Sequence, residues 1–133
     1  MLLFLSDNSY FMDKNAWVNY TDSYNEIITR KFIALLKMKK PNIHWQELKE
    51  PNGEDIDYGV LLDKNKKVSK KFPRIFDGFR LLHNRRIQTP ISHAYDKKTM
   101  QPTNIVTNTE QRNLFGKLKM AYEELIKDLK GFL

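Results

Sequence analysis

Between Thr107 and Gly131 the chain specifies one long helix from cap to stop. Thr107 and Glu110 stand at the spacing of a capping box, in which the hydroxyl accepts from the N3 backbone N–H and the N3 carboxylate accepts from the cap N–H. Leu114, Leu118, Ala121, Tyr122, Leu125 and Leu129 follow at steps of mostly three and four, which places them on one face of a helix. Gly131 is placed as the stop. A helix with such a face must bury it against another element, so the rest of the chain has to supply a cover.

Two further stripes can do so. Over residues 9–40, Tyr24, Ile27, Ile28, Phe32, Leu35 and Leu36 keep helical spacing, and Tyr10, Lys14, Trp17 and Thr21 extend it backward. Asp7 or Asp22 would cap the start, depending on where that start lies. Lys37, Lys39 and Lys40 suit the negative end of a helix dipole, and Pro41 ends the run. Over residues 66–86, Val68, Phe72, Ile75, Phe76, Phe79, Leu82 and then Arg86 form the second stripe, with Ser69 as a candidate cap. Pro73 is tolerated only in a first turn or at a kink, so regular helix is expected from about residue 70.

The remaining segments are less regular. "IHWQELKE" reads as a short helix with Trp45 and Leu48 facing inward, and "PNGED" is turn chemistry. "YGVLLD" is too short for periodicity to separate strand from helix. Residues 87–107, with Pro90 and Pro102, read as a loop of a length that is often functional. The expected fold is all-α: a small antiparallel bundle of about four helices, with an irregular middle segment and a loop before the last helix. The 133 residues are the size of one domain, expected over 1–133.

Composition narrows the chemistry. With 41% hydrophobic residues the chain can order itself around one core. Cysteine is absent, which removes disulfides, thiolate zinc sites and a cysteine nucleophile. "MLLFLSDNSY" holds only four apolar residues in a row, too few for a signal-peptide core or a span, and no later stretch is long and apolar enough. A cytoplasmic protein without membrane contact is expected. The net charge of +7 favours polyanionic partners, nucleic acid first and an acidic protein second; equally, it fits lysine used as a solubiliser.

Several site chemistries find no pattern. His44, His83 and His93 form neither HExxH nor an i, i+4 pair, and Asp96 beside His93 makes a weak metal site, so no metal or other cofactor is expected. Ser92 adjoins His93 but lies in no nucleophile elbow. Glycine-rich phosphate loops are missing from the sequence. Trp17, Trp45 and the aromatics from Phe72 to Phe79 have core spacing rather than the polar-face placement of a base-stacking platform.

One stretch concentrates polar chemistry: "LLHNRRIQTPISHAYDKKT", Leu81 to Thr99. Phase carried from Phe79 and Leu82 puts Arg86 at the end of the inner face, with Asn84 and Arg85 toward solvent. Its plain structural reading is a helix end, where arginines meet the dipole, followed by a loop histidine. Its chemical reading is metal-free RNA cleavage. Attack of a 2′-hydroxyl on the adjacent phosphate needs a group that moves protons near neutrality, which histidine is, and fixed charge on the phosphoryl oxygens, which arginine provides.

Here the sequence resembles the HEPN superfamily, small helical bundles of toxin–antitoxin, abortive-infection and CRISPR effector systems. The family hallmark is an arginine, then four to six residues, then a histidine. Arg86, "IQTPIS" and His93 match it, and "SHAYDKKT" is similar to the tail that follows the family's histidine. The resemblance spans roughly residues 66–130, with 9–40 available as the first long helix. It implies a homodimeric, metal-independent endoribonuclease of a defence or toxin type, with RNA as substrate and an antitoxin or regulatory protein as a further partner. On that reading His93 moves the proton, Arg86 clamps the phosphate and Arg85 is its alternate. Asn84 orients the phosphate or the histidine, and Tyr95, with Asp96 behind it, supports the cleft. Asn84 precedes the arginines rather than following one, and Pro90 interrupts any helix joining Arg86 to His93. Two other readings stay open: a non-catalytic helical module binding nucleic acid or protein, and a phage or mobile-element accessory protein of unrelated fold.

Overall fold

The computed structural model describes residues 14–88 and 105–132, and among these the regular elements are all helices. They are α1 (Lys14–Lys39), α2 (Tyr58–Leu61), α3 (Lys67–Lys71), α4 (Pro73–Ile87) and α5 (Asn108–Lys130). No described residue lies in a strand; Lys49 and Asp55 form an isolated antiparallel bridge.

The last helix forms as its sequence dictates. Thr107 Oγ1 accepts from Glu110 N at 3.1 Å and Glu110 Oε1 accepts from Thr107 N at 3.3 Å, completing the capping box. Leu114, Leu118, Ala121, Tyr122 and Leu125 are buried. Gly131 is the C-cap, in ordinary right-handed geometry, so the stop does not use glycine's left-handed freedom.

Helix α4 is the centre of the packing, touching α1, α3 and α5. Its approach to α5 is close: a Cβ at Gly78 would lie 2.9 Å from the Lys117 carbonyl oxygen and 3.0 Å from Ala121 Cβ. Phe79 meets the Tyr122 ring edge to face at 5.7 Å across that contact. The helix starts at Pro73, not near residue 70. Phe72, at φ −127° and ψ 59°, separates it from α3. A proline at N1 loses nothing, because the first N–H groups of a helix have no internal acceptor. Ser69 is not a cap: it is buried within α3 and donates to the Leu62 carbonyl at 3.4 Å.

Helix α1 ends before Pro41 as expected, but its buried face is rotated from the expected one. Tyr24 is 46% exposed and Ile27 54%. The inner face is Trp17, Val18, Thr21, Asp22, Asn25, Thr29, Phe32, Ile33 and Leu36. Asp22 lies mid-helix with no exposed surface, so it is not a cap; Asp7 falls outside the described residues.

The segment between α1 and α2 corrects another expectation. "IHWQELKE" is not helical, although Trp45 is buried and Leu48 packs against the core. Side chains take the place of helix hydrogen bonds in fixing this region. Trp45 Nε1 donates to the Lys40 carbonyl, Arg30 Nη2 to that of Ile56 at 2.7 Å, and Arg80 Nε to that of Leu62 at 2.7 Å. The "PNGED" turn forms with Gly53 at φ 89°, a value that favours glycine. "YGVLLD" resolves as the one-turn helix α2, capped by Asp57, whose Oδ2 accepts from Gly59 N.

Candidate functional site

Helix α1 brings four polar side chains into the core: Thr21, Asp22, Asn25 and Thr29, each at most 1% exposed. Burying polar groups is costly unless each finds a partner. Tyr122 of α5 donates to Asn25 Oδ1. Thr29 Oγ1 donates to the Asn25 carbonyl at 2.8 Å and lies 3.3 Å from the Tyr58 hydroxyl. Burial raises the pKa of both phenols, so each remains a neutral hydrogen-bonding group.

Asp22 is the charged member. Its Oδ2 receives two groups from α4: His83 Nδ1 at 2.9 Å and Arg86 Nη1 at 3.3 Å. Arg86 Nε also donates to Asn19 Oδ1 at 3.2 Å. His83 and Arg86 are three residues apart, so one turn of α4 presents both to α1. A carboxylate in such a place costs several kcal/mol of lost hydration, and the guanidinium supplies the compensating charge. Asp22 Oδ1 and Thr21 Oγ1 are buried without a protein partner, as are Trp17 Nε1 and Asn25 Nδ2 on the same helix.

Arg86 therefore occupies the inner end of α4, as its spacing indicates, yet 33% of its side chain stays exposed. Arg85 departs from expectation: it is not turned to solvent, its side chain is 11% exposed, and Nε binds Glu110 Oε2 at 2.8 Å. Burial pushes the Glu110 carboxyl up. The Thr107 backbone N–H and the Arg85 guanidinium outweigh that and hold it below its ordinary value. Asn84 is exposed. His93, Tyr95 and Asp96 lie outside the described residues.

His83 went unread in the sequence. It is 9% exposed, and its ring sits edge-on to Tyr58 at 4.9 Å. Its Nδ1 is engaged by Asp22, while the ring also borders an open groove of about 270 Å³. Leu62 and Ile87 line the same groove together with Asp63, Lys64, Arg80 and Asn84. A Cβ at Gly59 would fall 3.4 Å from His83 Nε2, so the backbone of α2 passes close to that nitrogen. The signal was present: His83 lies seven residues after Phe76 and three before Arg86, on the same stripe.

Among the described residues no three His, Asp or Glu side chains gather as a metal site, and no helix is long and apolar enough to cross a membrane. The chain matches no family model, no curated protein and no solved structure.

Proposed function

We propose that this protein is a metal-independent endoribonuclease of a defence or toxin–antitoxin type, working as a homodimer on RNA. Arg86 steadies the phosphoryl oxygens and His93 moves a proton in a cleft shared by two copies. The observation that carries the reading is the state of Arg86. Asn19 and Asp22 fix its guanidinium at the end of α4 while a third of the side chain remains open, and a fixed, water-accessible fork is what stabilising developing phosphoryl charge requires. In sequence, His93 follows directly on the segment that leaves this helix end. The surplus of positive charge favours an anionic polymer as substrate. Arg85 is already committed to Glu110, which leaves Arg86 as the clamp.

A second reading has its own support. Asp22 neutralises much of the Arg86 charge, as expected for an arginine that holds helices together in a non-catalytic module binding nucleic acid or protein. An RNase assay in EDTA on wild type, Arg86→Ala and His93→Ala separates the two. EDTA-resistant cleavage lost in both variants is the expected result. RNA binding without cleavage by the wild type transfers the protein to the second reading.

A further inference from the structure

We infer that His83 is a proton-transfer residue of the same reaction, acting through Nε2 in the groove beside Gly59; this rests on the ribonuclease reading above. Three features of the structure point to it. Asp22 is wholly buried and binds Nδ1 at 2.9 Å, so Nδ1 carries the proton and the lone pair of a neutral imidazole is on Nε2. The ring is 9% exposed and borders the groove, and a Cβ at Gly59 would fall 3.4 Å from Nε2. The groove in front has a volume of about 270 Å³, space for roughly nine waters at their liquid share, the scale of a ribose with its phosphate.

A histidine used only to bolt α1 to α4 needs Asp22 and a covered ring. It does not need a glycine in front of its second nitrogen or polar groups around the opening. Lys64, exposed at the groove edge, brings positive charge there. The Asp63 carboxylate is occupied in part by the Asn65 backbone N–H at 2.8 Å, and Arg80 is held by Leu62 and Asp77.

In the step, Nε2 takes the proton of an RNA 2′-hydroxyl. The 2′-oxygen forms its bond to the adjacent phosphorus as the bond from phosphorus to the 5′-oxygen breaks. His93, the proton-transfer residue of the reading above, gives its proton to the departing 5′-oxygen, and the His83 imidazolium returns a proton to His93 through water. The products are a 2′,3′-cyclic phosphate and a 5′-hydroxyl. Arg86 binds the same carboxylate oxygen as His83, on the Nδ1 side of the ring, and the cations that line the groove itself are Lys64 and Arg80.

The test compares two variants in EDTA with a defined RNA oligonucleotide. His83→Gln is expected to lower kcat about 100-fold, the usual contribution of a positioned base. Because it also alters the buried pair, Gly59→Ala is the deciding variant. Its methyl sits 3.4 Å from Nε2 and 3.1 Å from Asp57 Oδ2, the oxygen that caps α2 and has to shift by a few tenths of an ångström, and it adds no atom between Asp22 and His83 Nδ1. Gly59→Ala is expected to lose activity about 10-fold or more while keeping the wild-type melting temperature. Wild-type rates in Gly59→Ala overturn the inference, and if Arg86→Ala and His93→Ala are inactive the ribonuclease reading survives without it. A wild-type protein that cleaves no RNA removes both together.

Discussion

Asp22 and His83, sixty-one residues apart in sequence, meet at 2.9 Å with the carboxylate entirely out of water. Arg86 reaches the same oxygen at 3.3 Å, so a carboxylate from α1 organises both polar side chains that α4 turns inward. Removing the carboxylate charge leaves a guanidinium and an imidazole facing a neutral group. Asp22→Asn is expected to lose about 3–5 kcal/mol of unfolding free energy. Arg86→Gln, partly exposed, loses less. A double-mutant cycle in urea should return a coupling of about 1 kcal/mol or more between the two positions; additive losses would mean that the pair does not act as one unit.

The α4–α5 contact makes two glycines behave oppositely. At Gly78 a methyl would meet the Lys117 carbonyl at 2.9 Å, and backbone cannot step aside as a side-chain tip can. Gly78→Ala should destabilise by about 1–3 kcal/mol through forced separation of the helices. At Gly116, inside α5, a methyl meets nothing within 4 Å. Gly116→Ala should stabilise by about 0.4–1 kcal/mol, by reducing the freedom of the unfolded chain. Denaturant midpoints that move the same way in both variants would contradict the close approach at Gly78.

Much of this architecture was readable in advance, and the failures share one physical cause. Leu114 through Leu125 could be read because every inward position on α5 is apolar and Thr107 with Glu110 marks the start. On α1 the inward positions include Asp22, Asn25 and Thr29, while Tyr24 and Ile27 face water. A search for apolar spacing therefore found Trp17, Thr21, Phe32 and Leu36 but wrongly turned Tyr24 and Ile27 inward. What it missed on that face is Val18, Asp22, Asn25, Thr29 and Ile33, three of them polar. The same assumption hid His83. Arg86 was placed correctly because it continues the stripe of Phe79 and Leu82. Its partner was missed because a mid-helix aspartate looks like a cap or a solvated group. The non-helical path of "IHWQELKE" goes with hydrogen bonds from Trp45 to the Lys40 carbonyl and from Gln46 to the Leu61 carbonyl and with the Lys49–Asp55 bridge, which local pattern does not contain.

The buried phenols should respond to base. Burial raises both pKa values above the ordinary 10.0, so the folded state holds its phenolic protons more tightly than the unfolded state. This contribution is complete below 10.0 and is lost as pH rises above it. Tyr122→Phe should start about 1–3 kcal/mol less stable, because Asn25 Oδ1 loses its donor in the core. It should also decline less steeply than wild type from about pH 8 to about pH 11. Tyr58→Phe should cost less, since the Thr29 hydroxyl keeps the Asn25 carbonyl at 2.8 Å. Equal alkaline slopes in wild type and Tyr122→Phe would remove Tyr122 from the response.

Glu110 works in the opposite direction. Its carboxyl is held below the ordinary 4.5, against the upward push of burial, by Thr107 and Arg85. The unfolded state therefore binds more protons in this range. The stabilisation is complete above 4.5 and fades as pH falls through it toward the depressed folded value. The Glu110 side chain is 42% exposed, so screening keeps the effect small, about 0.2–1 kcal/mol. The stability difference between about pH 7 and about pH 3 should be smaller for Glu110→Gln than for wild type. An unchanged difference would leave the acid response to other carboxylates.

Salt dependence tests how far Asp22 consumes the charge of Arg86. Each phosphate neutralised by a side chain adds close to one unit to the slope of log affinity against log salt. Asp22 holds Nη1 and Asn19 holds Nε, while a third of the side chain stays open to water, where it can meet a phosphate. Binding of a single-stranded RNA to wild type should weaken steeply with salt, and Arg86→Gln should lower the slope by about 1 as well as lowering affinity. Lys64→Gln should act similarly if the strand also crosses the His83 groove, without the stability loss expected of Arg86→Gln. A slope unchanged by Arg86→Gln, with the stability loss still present, would restrict Arg86 to holding α4 against α1.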